Sequence, residues 1–168
     1  MHITRTRPDD AATLTEIAFA AKRHWGYPMA WIESWRDVLT VRPEFIAGHE
    51  TYAAIDAGRA VGFHALGRKG DRMDLLHLWL LPEAMGRGVG RSLFSHALER
   101  ARILGFRELE IESDPNAEGF CQRMGAQRVG TSIKDVAGHK RELPVLIYEL
   151  DHAAAYASHE AHFGPRPP

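Results

Sequence analysis

The most constraining stretch of this chain runs from Leu75 to Leu104. It reads as an apolar run, Leu75-Leu76-His77-Leu78-Trp79-Leu80-Leu81, then Pro82, then Gly86-Arg87-Gly88-Val89-Gly90-Arg91, then a helical pattern. A buried strand that ends in a glycine-rich turn and enters a helix aims several backbone N–H groups and the positive helix end at one point. That arrangement suits an anion such as a pyrophosphate. A Walker P-loop would need Gly where Met85 stands and Lys where Arg91 stands, and a dinucleotide fingerprint begun at Gly86 would need Gly at Arg91. Neither motif is present.

With 168 residues, 45% of them apolar, the chain suffices for one domain with a substantial core and is short for two. A formal net charge of −1 argues against nucleic acid or an anionic membrane as the main partner. The single cysteine, Cys121, excludes an internal disulfide framework and fits a reducing cytoplasm. No apolar segment is long enough to cross a bilayer, so the expectation is a soluble cytoplasmic protein.

Residues 2–6 alternate weakly and read as a first strand; Pro8-Asp9-Asp10 supplies a helix start. Leu14, Ile17, Ala18, Ala21 and Trp25 follow at helical spacing and end at Gly26-Tyr27-Pro28. A second helical pattern runs from Pro28 to about Leu39. The segment from Trp25 to Trp35 holds three tryptophans and a tyrosine. Large aromatics fill cores, and they also wall pockets for which Tyr27 or Glu33 would supply polar handles; both readings stand. Residues 43–49 read as a connection. Residues 51–55 and 61–66 read as strands joined by hairpin chemistry at Asp56-Ala57-Gly58-Arg59. Residues 72–81 form the strand that feeds the glycine turn, its consecutive apolar residues implying burial on both faces. Residues 92–104 form a helix closed by Gly105, and 109–112 a short strand. A turn at Ser113-Asp114-Pro115-Asn116 opens a helix over 117–124. Residues 127–133 and 145–150 are the last strands, joined by a polar loop around Gly138-His139-Lys140-Arg141. The domain therefore spans 1–150, and 151–168 reads as a tail with a partial helix followed by disorder. His152, His159 and His162 in that tail lack cysteine partners, and no metal site is expected.

Met85-Gly86-Arg87-Gly88-Val89-Gly90, after a hydrophobic strand, resembles the Q/R-x-x-G-x-G/A motif of the GNAT superfamily of acyl-CoA-dependent N-acetyltransferases, with Met85 in place of the usual Gln or Arg. A second stretch, Asp114-Pro115-Asn116-Ala117 through Phe120-Cys121-Gln122-Arg123-Met124-Gly125-Ala126, is similar to the family's N-x-x-A-x-x-F-Y-E-K-x-G-F segment. The element order β-α-α-β-β-β-α-β-α-β-β is that of the family, over about residues 2–150. The resemblance implies an α/β fold with a mixed, mostly antiparallel sheet flanked by helices on both faces, and acetyl-CoA as co-substrate.

It further implies a pyrophosphate cradle of backbone amides at Arg87, Gly88, Val89, Gly90 and Arg91 beside Met85. Two strands would splay so that the pantetheine arm pairs with the edge Leu78 to Leu81, Leu80 included, with Asn116 and Phe120 as further contacts. Amine acetylation needs a neutral nucleophile and hence a base. Family position points to Asp74. His77 is chemically better suited but of the other strand parity, unless a bulge intervenes. Glu112 and His64 are weaker candidates. Cys121 stands where many relatives carry a Tyr that protonates the leaving thiolate; it is either that acid or a small buried filler. Trp25, Tyr27, Trp31 and Glu33 are the candidate acceptor contacts. The expected reaction is direct transfer of acetyl to a primary amine of a small molecule, and a homodimer fits the family. The alternative is an acyl-CoA-binding module with weak or no turnover, suggested by Met85 and Cys121.

Overall fold

The computed structural model describes residues 1–150; the tail reading for 151–168 lies outside the described residues. Seven strands form one sheet: β1 (His2–Arg5), β2 (Glu50–Asp56), β3 (Arg59–Lys69), β4 (Arg72–Leu80), β5 (Glu108–Glu112), β6 (Gln127–Val136) and β7 (His139–Glu149). Their spatial order is β1-β2-β3-β4-β5-β7-β6. Every pairing is antiparallel except β4 with β5, which is parallel and requires the crossover helix α5 (Val89–Ile103). The remaining helices are α1 (Ala11–His24), α2 (Met29–Ser34), α3 (Arg36–Leu39), α4 (Pro43–Gly48) and α6 (Glu118–Arg123).

Helices cover both faces. On one, α5 buries Phe94, Ala97, Leu98 and Ala101 against Leu66, Met73, Leu75, Leu109 and Ile111, and Leu93 against Ala54 and Val61. On the other, Leu14, Ile17 and Ala18 of α1, with Ile32 and Ile46, pack on Ala53 and Phe63. The alternation of strand side chains sorts the two sets.

Local readings are corrected in four places. Residues 43–48 form α4 rather than a bare connection, because Pro43 occupies the first turn, where its missing N–H costs nothing, and Ile46 is buried. The pattern over Pro28–Leu39 breaks at Trp35, giving two short helices. The helix α5 starts at Val89, directly out of the glycine turn. The last two strands extend to a tight hairpin at Ala137 (φ 49°) and Gly138 (φ 79°), the pair of positive φ values a two-residue type I′ connection demands. His139-Lys140-Arg141 therefore belong to a strand, which gives Arg141 a fixed direction. No helix among the described residues is long and apolar enough to cross a membrane.

Candidate active site

The sheet opens at its centre. β4 and β5 pair only at Met73↔Leu109 and Asp74↔Glu110; beyond that β4 follows β3 to Leu80 and β5 follows β7 to Glu112. The β4 edge past Asp74 therefore has no strand neighbour on that side. Leu78, Leu80 and Leu81 lie half-buried there instead of enclosed on both faces as their run of apolar residues implied.

β4 also carries a bulge. Leu66 faces Leu75 and Ala65 faces His77, leaving Leu76 without a partner on β3. One extra residue reverses strand parity. Met73 and Leu75 pack toward α5, so Asp74 turns to the α1 face. Beyond the bulge His77 and Trp79 also lie on the α1 face, His77 with Phe63 and Phe45. The parity objection to His77 is removed by this residue.

At the far end of β4 the glycine turn closes against the same slot. A Cβ at Gly90 would touch Leu80 and Phe120 at 3.6 Å. Gly86 (φ 72°) and Gly88 (φ 82°) hold left-handed backbone that other residues adopt at a cost. Val89 is buried and anchors the turn, while Gly86, Arg87 and Gly88 are exposed. Among the described residues, no acceptor is found for the amides from Gly86 to Arg91. A row of unpaired donors at the start of a fifteen-residue helix is able to take an anion. Arg87 is held by Asp56 at 3.2 Å, whereas Arg91 is exposed with no ion pair among the described residues.

A family model described as the acetyltransferase (GNAT) family matches residues 13–126. The chain belongs to this family. It is similar to the peptidyl-lysine N-acetyltransferase YjaB of Salmonella typhimurium, 35% identical over 96 residues, which make up 57% of this chain. The match spans 62% of that relative, less than two thirds of its length. Among solved structures, a GCN5-related N-acetyltransferase from Rhodopseudomonas palustris has a TM-score of 0.76 at 23% identity over 89% of this chain and 95% of that one. The PaiA N-acetyltransferase of Thermoplasma acidophilum, solved in complex with coenzyme A, has a TM-score of 0.68 at 22% identity over 88% and 98%. At these identities the likeness establishes the fold.

Within this GNAT framework the candidate residues fall into distinct settings. Asp74 stands at the vertex where β4 and β5 part, with Oδ1 buried and unpartnered and Lys69 Nζ 3.9 Å from Oδ2. Burial pushes its carboxyl above the ordinary range. His77 accepts a hydrogen bond on Nδ1 from the Trp79 indole N–H at 2.9 Å. Burial, with His49 nearby, takes its pKa down to about 4. Cys121 is 3% exposed among Ala126, Leu146 and other core side chains, its Sγ 4.0 Å from Ser113 Oγ, and burial raises its pKa. Glu112 is exposed, with Lys134 at 3.3 Å.

His64 lies on the opposite face, fully buried, its Nε2 2.8 Å from His96 Nδ1 on α5. Burial, with His96 beside it, lowers its pKa to about 3. His64 and His77 stay neutral in the fold but take up protons on unfolding below about pH 6.5. Their contribution is therefore complete above pH 6.5 and declines as pH falls toward 4 and then 3. Urea midpoints are expected to fall from pH 7.5 to pH 4.5, with a shallower fall in His64→Gln; parallel profiles for the two proteins would refute this.

The aromatic segment divides. Tyr27, Trp31 and Trp35 form one cluster, with ring centroids 5.1–6.0 Å apart. Trp25 stands outside it, exposed beside His24, and Glu33 is exposed and paired with Arg36 at 2.6 Å. Beneath the cluster lies a polar centre that sequence reasoning missed: Lys22 Nζ 2.6 Å and Arg141 Nη2 3.0 Å from Asp114 Oδ2. Tyr27 donates to Asp114 Oδ1 at 2.8 Å and accepts from Asn116 Nδ2 at 2.9 Å. Asn116 is thus engaged with Tyr27 and Asp114. Burial would raise the Asp114 pKa, but the Lys22 ammonium and the Asn116 amide hold it at about 2. One signal was available: Lys22 falls four residues after Ala18, on the buried stripe of α1.

Proposed function

We propose that the protein transfers an acetyl group from acetyl-CoA to a primary amine of a small molecule, directly within a ternary complex. The observation that carries this reading is the open slot between β4 and β5, continuous with unpaired amides at the start of α5. The cradle would hold the diphosphate through Arg87, Gly88, Val89, Gly90 and Arg91, beside Met85. The free edge from Leu78 to Leu81 would pair with the pantetheine amides, with Phe120 and Asn116 at the other lip. Because the cradle lies on the α5 side, the acceptor enters from the α1 side, where Tyr27 and Trp31 lie; Trp25 and Glu33 are left outside this proposal.

On that side Asp74 is the base we assign. Its raised pKa makes it a better proton acceptor than an ordinary aspartate. The Nδ1 lone pair of His77 is already occupied by Trp79, and the buried Cys121 is assigned no acid role. As the amine nitrogen bonds to the acyl carbon, its proton passes to Asp74, directly or through water. The carbon–sulfur bond then breaks, and the thiolate leaves to be protonated by solvent. Backbone N–H groups near the Leu76 bulge can polarise the thioester carbonyl, and holding the reactants together supplies much of the remaining acceleration. A second reading, a peptide lysine as acceptor, is favoured by the name of the Salmonella relative.

Release of free thiol from acetyl-CoA, measured across small amines and lysine peptides, tests both readings. Acetyl-CoA binding without thiol release above the uncatalysed rate would favour the binding module. Gly88→Val tests the cradle. A branched side chain at φ 82° misaims the adjoining amides, and loss of one charge-assisted hydrogen bond costs about 1.5–3 kcal/mol, roughly 10- to 100-fold in affinity. The Kd for coenzyme A by calorimetry is expected to rise by that factor; an unchanged Kd would remove the diphosphate from this turn.

A further inference from the structure

The polar centre beneath the aromatic segment is not electrically balanced. Lys22 and Arg141 share the single carboxylate of Asp114, and the three side chains are 6%, 10% and 10% exposed. Among the described residues no second carboxylate lies within ion-pair distance of either cation. Tyr27 is neutral. Aromatic faces offset part of the excess, with Lys22 Nζ 4.2 Å from the Trp35 ring centroid and the Arg141 guanidinium 5.0 Å from those of Trp35 and Tyr27. They do not supply the counter-charge that a desolvated cation requires.

Donors are also left over. Arg141 spends only Nη2, on Tyr27 at 2.7 Å and Asp114 at 3.0 Å; its Nε and Nη1 have no protein acceptor among the described residues. Neither atom is sealed from solvent. The ammonium of Lys22 donates to Asp114 alone. Lys22 Nζ is 5.7 Å from the Trp79 ring on β4, and Asp114 lies two residues past the end of β5. The centre bridges both lips of the slot on the acceptor side.

We propose that Arg141 and Lys22 bind a carboxylate carried by the acceptor, which makes the substrate an amine of the amino-acid class. An unspent guanidinium N–H of Arg141 can donate to one carboxylate oxygen, and the ligand's negative charge completes the balance. This rests on the acetyl-transfer reading above. The carboxylate belongs either to a free amino acid or to an acidic residue beside a peptide lysine.

The test compares kcat/KM, by thiol release, for amino acids and their amides, which present the same amine and differ in the carboxylate. A second arm compares lysine peptides with and without an adjacent acidic residue. The acid-bearing member is expected to be favoured by about 10- to 100-fold, the scale of a charge-assisted hydrogen bond. Preference for free amino acids, or for acidic peptides, assigns the source. Arg141→Gln should reduce the ratio to near one through KM, and Arg141→Lys should retain part of it; a merely structural Arg141 would depress both members and preserve the ratio. Equal use of both members by the unaltered protein overturns the proposal without any variant. If no amine releases thiol, the transfer reading fails separately. Tryptophan fluorescence titrated with the same amino acids and amides then decides: a saturable response to the acids alone sustains the carboxylate site, and none overturns it.

Discussion

Asp74→Asn is expected to lower kcat for acetyl transfer by about 10²–10⁴-fold, the range a positioned general base contributes, while leaving the KM for acetyl-CoA nearly unchanged. The amide keeps the size of the side chain but cannot take a proton. Because a base works only when ionised, activity of the unaltered protein should rise with pH through the Asp74 pKa, which burial places above the ordinary aspartate range. That ascending limb should vanish in the variant. Its persistence, with kcat intact, would move the base elsewhere, and His77→Gln would be the next measurement.

Asp114→Ala is the second large effect, and it concerns stability. Removing the carboxylate leaves Lys22 and Arg141 facing one another, both about nine-tenths buried. Deleting one partner of a buried ion pair costs about 3–5 kcal/mol, a large share of the ~5–15 kcal/mol that holds an ordinary domain together. Chemical denaturation should register that loss. Lys22→Met combined with Asp114→Ala should recover part of it, because a buried charge leaves with its partner. The folded pKa of Asp114 is about 2, below the unfolded value near 3.9. Its contribution is therefore complete above about pH 4 and lost as pH falls toward 2, adding to the histidine effect at the acid end. A double variant no better than Asp114→Ala would show that geometry, not charge, dominates this centre.

What the sequence disclosed, and what it withheld, follows the range of the interactions. The strand, glycine turn and helix from Leu75 to Leu104 are local: apolar runs, left-handed glycines and a helical stripe declare themselves within a few residues. The hairpin at Ala57-Gly58 is legible for the same reason. The bulge at Leu76 is not, since adjacent leucines carry no mark of which will lose its partner. The helix at Pro43 is equally silent, because a proline followed by a few residues reads as well as a connection. The centre at Asp114 joins residues 92 and 27 positions away. No periodicity links charges that only the folded sheet brings together, and Asp114 by itself reads as a turn residue.

The brevity of the contact between β4 and β5 has a mechanical meaning. Within the sheet, two residue pairs join a four-stranded wing to a three-stranded one, so the sparsest line of strand hydrogen bonding runs through its middle rather than around its rim. An occupant of the gap would supply the missing rungs, and its binding energy would add to cohesion between the wings by mass action. Amides flanking that seam should then exchange with solvent far more slowly once it is filled.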